Sequence, residues 1–233
     1  MIVDFHSHIL PGIDDGAKDI SMAREMLLAE EQSGVEAIVA TPHFYLSEES
    51  VESFLEKREN AFNLIKPEAD RLGIEIFKGA EVLFTESLMD IDIKRLCIGD
   101  SSYVMIELPY QKLTDNFIRS FKSFVGRVSS EVNIIVAHAE RYLNFTDEDS
   151  LFEILDTGVT VQVNCGSFKA FSKSRKFINE LIASDFLHLI GTDCHNMTSR
   201  APNMDIARKA IEKRFSRQVF RRIMKNAEEI LNG

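Results

Sequence analysis

The chain of 233 residues has no tryptophan, only three cysteines and only five prolines. Three widely spaced thiols, Cys97, Cys165 and Cys194, argue against a disulfide framework and suit a reducing compartment. Long apolar runs are missing too: nothing approaches the ~20 residues a bilayer-crossing helix needs, so no membrane insertion is expected. The opening MIVDFHSH has neither a basic stretch nor an extended apolar one. A signal peptide is therefore not expected, and the protein reads as cytoplasmic. Basic residues are in deficit, with 27 Lys and Arg against 37 Asp and Glu and a formal charge of -10. That deficit argues against nucleic acid as a partner, because phosphate-backbone binding rests on clustered Lys and Arg. A compact anion stays admissible where a local positive site, such as a metal cluster, overrides the global field. No repeat, low-complexity tract or Pro/Gly-rich linker divides the chain, so residues 1–233 read as one domain.

What the chain does have is alternation. Short apolar, β-branched runs lie at 2–5, 35–40, 74–81, 103–108, 133–139, 159–164 and 187–193. Between them come segments of helical period: SMAREMLLAEEQSG, which closes on Gly34, then roughly 51–71, 116–130, 147–157, 172–184, 203–213 and 217–231. Seven strands, each followed by a helix, predict parallel pairing through crossover helices, hence a β/α barrel or an open doubly wound sheet. Met22, Met26 and Leu27, and likewise Phe117, Phe121 and Phe124, recur at helical spacing and are expected to face the core.

The chemistry gathers at the strand ends. They read His6-Ser7-His8, Thr41-Pro42-His43, Gly79-Ala80-Glu81, Ile106-Glu107-Leu108, His138-Ala139-Glu140-Arg141, Asn164-Cys165-Gly166 and Asp193-Cys194-His195. In β/α barrels residues distant in sequence meet at that rim. Alternation along a strand turns His6 and His8 the same way, and Asp193 and His195 the same way if their strand continues. His188, offset from Asp193 by an odd number, is expected to face the outer helices as a structural histidine. A ring of His6, His8, Asp15, His43, Glu81, Glu107, His138, Asp193 and His195 emerges. Imidazole nitrogen with carboxylate oxygen suits Mn, Fe or Zn. Nine ligands are too many for one ion and would serve three ions sharing carboxylate bridges.

In their order and spacing, HSHILPGIDDGAKD, ATPHFY, KGAEV, VMIELP, VAHAERY and GTDCHNMTSRAP resemble the PHP (polymerase and histidinol phosphatase) superfamily. Within it they are similar to the bacterial manganese-dependent protein-tyrosine phosphatases of capsule and exopolysaccharide operons. The resemblance spans nearly the whole chain. It implies a distorted seven-stranded, TIM-like β/α barrel with a site for three manganese ions, Fe or Zn being alternatives. One ion would be held mainly by His6, His8 and Asp193 and another by Glu107 and His138, with Glu81 bridging them. Asp15 and His43 with His195 would hold the third, with Asp14 an alternative to Asp15 in the DDG turn. Arg141 and Arg200, close behind strand-end histidines, would grip phosphate, for which a planar guanidinium is suited. Three divalent ions would outweigh the four ligating carboxylates and leave a positive centre for a phosphate dianion. The implied reaction is hydrolysis of protein phosphotyrosine by metal-bound hydroxide, without a phosphoenzyme. A phenolate leaving group, of pKa about 10, leans little on a general acid. The implied substrate is the tail of a cytoplasmic tyrosine kinase controlling polysaccharide export.

Other readings compete. A small-molecule phosphomonoesterase of the same superfamily, acting on histidinol phosphate, would use the same ring, as would a metal-dependent nuclease; a non-catalytic metal-binding regulator is a further class. Cys194 to Arg200 has the C-x5-R spacing of cysteine-dependent tyrosine phosphatases. Its intervening HNMTS lacks the glycine of a phosphate-cradling loop, and a thiol mechanism leaves the histidines unexplained. Phe44-Tyr45-Leu46 can wall the entrance for a phenol ring or simply pack a loop. Lys169, Lys173, Arg175 and Lys176 read as a solvated basic face.

Overall fold

The structure, a computed structural model, describes residues 1–169 and 174–233. Among these lie nine short strands: β1 (Val3–Ser7), β2 (Ala37–Ala40), β3 (His43–Phe44), β4 (Glu75–Lys78), β5 (Glu81–Leu83), β6 (Tyr103–Glu107), β7 (Asn133–Val136), β8 (Thr160–Asn164) and β9 (Leu189–Gly191). Every pairing is parallel, in a three-stranded sheet β1-β2-β4 and a six-stranded sheet β3-β5-β6-β7-β8-β9. The result is an α/β fold with a parallel sheet curled into a half-barrel.

The strand count departs from seven because two sequence runs are not single strands. The run at 35–40 ends at Ala40, and β3 resumes beyond Thr41-Pro42; Pro42 has no N–H to give the ladder. The run at 74–81 breaks at Gly79-Ala80 into β4 and β5. Bonding continues across the breaks, Gly79 N donating to Ala40 O at 2.8 Å and Glu81 N to Pro42 O at 3.0 Å. On the other flank β1 approaches β9: Asp193 N donates to His6 O at 2.7 Å and His8 N to Cys194 O at 3.0 Å.

Seven α-helices appear among the described residues: α1 (Ile20–Gln32), α2 (Val51–Leu72), α3 (Asp115–Val128), α4 (Glu148–Leu155), α5 (Arg175–Ala183), α6 (Met204–Arg214) and α7 (Arg217–Asn232). Five begin where a short polar side chain accepts an otherwise orphaned helix N–H: Asp19, Ser50, Thr114, Asp147 and Ser216. The expected helix at 172–184 is present as α5, its expected start lying partly outside the described residues, as does Lys173 of the basic face. Met26 and Leu27 are buried and Met22 half-buried; Phe121 and Phe124 pack on Phe84 at 5.1 and 5.2 Å, as core residues do. His188 stands apart from the strand ends, its Nδ1 accepting from Val161 N at 2.9 Å and its carbonyl from Asn226 of α7 at 3.1 Å. It is a structural histidine.

Strand β1 departs from simple alternation. Its register against β2 shifts between Asp4 and Ser7, a bulge that adds one residue on the β1 side. Phe5 packs with Val39, Met105 and Ile135 in the interior, yet His6 also faces inward, toward Glu81 and Gln162. Asp4 and Ser7 turn outward instead, to Thr192 and Cys194. The bulge thus allows one strand to supply both core and site.

Candidate metal centre

All nine ring residues converge. His6 and His8 leave β1 side by side, their Nε2 atoms 3.2 Å apart. Glu81, at the start of β5, is the hub: its Oε2 lies 3.2 Å from His6 Nε2, 3.1 Å from His8 Nε2 and 3.2 Å from His43 Nδ1, and its Oε1 lies 2.6 Å from His138 Nε2. Glu107 Oε1, at the end of β6, stands 3.5 Å from the same His138 nitrogen. Asp193 Oδ1 lies 3.6 Å from His6, 3.5 Å from His8 and 3.6 Å from His195 Nδ1. Asp15 Oδ1 faces His43 at 3.4 Å and His195 at 3.2 Å. Three sets of ring residues bring their donor atoms within 4.8 Å of one another: His8, Asp15, His43 and His195; His6, His8 and Asp193; and His43, Glu81 and Glu107, with His138 joined through Glu81. The partition differs from the implied one in that His43 joins Glu81 and Glu107, while His8 is shared between two sets.

The DDG turn separates its two aspartates by task. Asp15 looks into the ring, whereas Asp14 stands behind it and accepts from His8 Nδ1 at 2.7 Å, Gly16 N at 2.9 Å and His43 N at 3.0 Å. Gly16 is required because a Cβ there would overlap the His8 carbonyl, and at Gly191 a Cβ would overlap His6. Two ring residues sit at left-handed backbone angles, His138 at φ 32° and Asp193 at φ 52°. Such strain persists only where surrounding contacts over-determine it. Asp193 also shows why strand parity was the wrong ground for its direction: β9 stops at Gly191, and hydrogen bonds aim the side chain. Asp4, buried, holds the segment before it by accepting from Thr192 N at 2.7 Å and Thr192 Oγ1 at 2.6 Å.

Sequence reasoning missed two amides. Gln162 Oε1 accepts from His138 N at 2.6 Å and lies 3.3 Å from His6 Nδ1. Asn164 Nδ2 donates to Asp193 Oδ2 at 2.7 Å. Asn164 closes a strand in the sequence, a signal that its uncharged side chain obscured; Gln162 offered none.

The donor set fits divalent cations. His8 Nδ1 rests on Asp14, His6 Nδ1 on Gln162, and His195 Nδ1 on the Asp193 carbonyl at 3.0 Å. Anchoring one ring nitrogen on an acceptor orients the other as a lone-pair donor, as in metal-ligating histidines. Among the described residues, buried His195 Nε2 has no hydrogen-bond partner, nor does His43 Nδ1, which is near Glu81 without the alignment for one. The carboxylates draw positive charge onto the imidazoles, as protons that a metal would displace. Burial opposes charge on His8, but the Asp14 and Glu81 carboxylates outweigh it and push its pKa up to about 10; His138, against Glu107 and Glu81, rises to about 9 in the same way. Burial, the charge of His8 and Arg200 hold His195 down at about 4, as a neutral imidazole. Burial favours protonated Glu81 and Asp193, yet neighbouring imidazoles hold both below the usual carboxylate range. The cluster demands positive charge.

Both arginines reach this centre. Arg141 Nη1 donates to Asp193 Oδ2 at 3.1 Å, and Arg200 Nη2 donates to Asp193 Oδ1 at 2.7 Å. With Asp15, His43 and Glu107 they line a cavity of about 480 Å3. Tyr45 lines the same cavity, whereas Phe44 is buried against Phe54 at 4.9 Å, so the aromatic run divides between entrance and core. Cys194 points away from the centre. It is fully buried with its sulfur 3.2 Å from Ser7 Oγ, and burial with Glu30 and Asp4 pushes the thiol well above its ordinary pKa. A buried protonated thiol is no nucleophile. Cys194→Ser is therefore expected to retain hydrolytic activity in a steady-state assay; loss of activity with the fold and metal content intact would revive the thiol mechanism.

Comparison with known proteins places this geometry. The model of a family described as capsular polysaccharide synthesis, CpsB/CapC, matches residues 2–232. The tyrosine-protein phosphatase CpsB of Streptococcus pneumoniae is 30% identical over 230 residues, 92% of this chain and 91% of that protein. The tyrosine-protein phosphatase YwqE of Bacillus subtilis is 28% identical over 242 residues, covering 100% and 92%. A solved chain from the crystal structures of YwqE and CpsB, described as unique metal-dependent tyrosine phosphatases, superposes with a TM-score of 0.83 at 24% identity, covering 99% of this chain and 94% of that one.

Proposed function

The chain belongs to the CpsB/CapC family of capsular polysaccharide synthesis, and from that premise we propose that it is a metal-dependent phosphatase that hydrolyses phosphotyrosine on proteins. The observation that carries the reading is the convergence of nine nitrogen and oxygen donors with two arginines at one cavity. A second guanidinium gives a scaffold or regulator nothing, but it gives a phosphate a second bidentate partner.

His6, His8 and Asp193 would hold one cation. Glu81, Glu107 and His138 would hold another, with His43 beside them, and Asp15, His43 and His195 a third; manganese is the ion of choice, in three copies. Divalent cations at such a site supply Lewis acidity and lower the pKa of a coordinated water to roughly 7. The protein's own part is positional. Asp14 and Gln162 hold His8 and His6 in the tautomer that presents Nε2. Asp193, itself held by Asn164, fixes the two guanidiniums by charge-assisted bonds, so that Arg141 and Arg200 would meet the non-bridging phosphate oxygens with little reorganisation. The tyrosyl oxygen leaves as a phenolate of pKa about 10, easier to expel than an alkoxide.

The frame is a distorted β/α barrel of seven chain passes, counting β2 with β3 and β4 with β5 as interrupted passes. The bonds across those breaks and between β1 and β9 support that closure. The substrate is the phosphorylated tail of a tyrosine kinase of polysaccharide export, met in the cytoplasm. Among the described residues no helix is long and apolar enough to cross a membrane.

A substrate panel tests the reading against the histidinol phosphate alternative. With manganese present, kcat/KM for a phosphotyrosine peptide is expected to exceed that for histidinol phosphate by about tenfold or more, a difference of about 1.4 kcal/mol in transition-state binding. Preference for histidinol phosphate would reverse the assignment.

A further inference from the structure

Above the buried carboxylates the cavity is walled by rings. Tyr45 and Tyr110 line it together with Leu83, Pro109, Arg141 and Arg200. Tyr45 stacks on His43, centroids 5.4 Å apart and planes 20° apart. Tyr110 stacks on His138 at 5.9 Å and 26°. These two imidazoles stand on different oxygens of one carboxylate, that of Glu81. Each phenol is thus fixed to a flank of the same floor group. Tyr110 is held further by the Arg141 guanidinium, 4.9 Å over its ring, and by Phe145, 5.4 Å beside it. Glu81 and Asp193 are 1% and 5% exposed while Tyr110 is 40% exposed, so the polar floor lies below an aromatic rim.

We infer that Tyr45 and Tyr110 form the walls of a slot for the aryl ring of the substrate, with Tyr110 a specificity-determining residue that selects aryl over alkyl phosphates. The inference rests on the phosphatase reading and names the residues that would narrow it. An aryl phosphate entering with its phosphorus toward the arginines carries its ring to the level of the two phenols, where offset or edge contacts are favourable. A phosphoserine carries its phosphate directly on the β-methylene, with no ring between. Its peptide backbone would meet the rim before its phosphate reached the floor. Tyr110 also couples the two ends of the substrate, because the guanidinium stacked on it is one that grips phosphate.

The test uses the full chain loaded with manganese, metal content being checked by elemental analysis. Two readouts run in parallel: kcat/KM for phosphotyrosine and phosphoserine peptides of one sequence, and calorimetric affinity for phenylphosphonate and methylphosphonate, which needs no turnover. Tyr110→Leu is expected to lower the aryl-to-alkyl ratio about fivefold to tenfold in both, the scale of one aromatic contact. Tyr110→Phe, which keeps the ring, is expected to keep the ratio. A Tyr110→Leu ratio equal to wild type overturns the inference. So does a Tyr110→Phe ratio as low as that of Tyr110→Leu, which would assign the effect to the hydroxyl. Should Tyr110→Leu fail to fold, Tyr45→Leu carries the same expectation and the same overturning result. Wild-type protein that hydrolyses no aryl phosphate removes the phosphatase reading itself, a separate outcome.

Discussion

Glu81→Gln is expected to abolish phosphatase activity while leaving the fold intact. The substitution keeps the shape of the side chain and removes one charge. Glu81 is buried, and its two oxygens lie within 3.2 Å of nitrogens on His6, His8, His43 and His138. No other carboxylate among the described residues touches so many of the candidate ligands. Neutralising it removes the strongest local demand for cations and offers an amide nitrogen where a second anionic oxygen stood. Losing metal-derived stabilisation of several kcal/mol corresponds to a rate loss on the order of 10^3. Hydrolysis of p-nitrophenyl phosphate and elemental analysis measure the two consequences, while circular dichroism checks the fold. Added manganese supplies a third measure. At a hundredfold excess over Kd it is expected to stabilise the wild type by about 2.7 kcal/mol, roughly 5–10 °C in Tm for a chain of this size. The variant is expected to lose most of that shift. A Glu81→Gln protein with wild-type metal content and rate would remove Glu81 from the centre.

Arg200→Ala and Arg141→Ala are each expected to lower kcat/KM about 10^2-fold, the scale of removing one preorganised donor from a charged transition state. Both guanidiniums bond the same carboxylate, Arg141 to Asp193 Oδ2 and Arg200 to Asp193 Oδ1. Removing Arg200 takes the guanidinium from Asp193 Oδ1, whereas removing Arg141 leaves Oδ2 bonded only to Asn164 Nδ2. The double variant should therefore lose less than the product of the single losses, since residues sharing a partner couple. Lysine at either position is expected to recover only part of the rate, because a point charge cannot reproduce the planar fork. Metal content separates grip on phosphate from an effect through Asp193. Activity loss at unchanged metal content supports the former, and a proportional fall in both would make the arginines positioning residues.

Much of the site could be read from the chain because metal chemistry restricts residue type. Histidines and carboxylates at strand ends, in a chain that alternates strand and helix, have few other reasons to recur. Asp15 was separable from Asp14 only in space, since both belong to one turn and one of them buttresses the other's neighbour, His8. Asn164 stood at a strand end but carries no charge to mark it, and Gln162, inside the strand, had nothing to set it apart from an ordinary strand residue. Tyr110 lies three residues beyond Glu107 in a loop, where its contact with Arg141 depends on two connections packing together.

Apart from the two interrupted runs, strand and helix positions were determined by the sequence itself, through periodicity and short polar caps, because burial on one face imposes a period whatever the partner is. So was the identity of the nine candidate ligands, because few side chains offer a lone pair to a hard or borderline cation. Tertiary structure alone decided how they group. The bulge in β1, the breaks at Pro42 and Gly79, and the left-handed turns at His138 and Asp193 set which donor faces which. Those features are held by contacts between segments as much as 188 residues apart, such as Asp4 with Thr192, and no local pattern encodes such a contact.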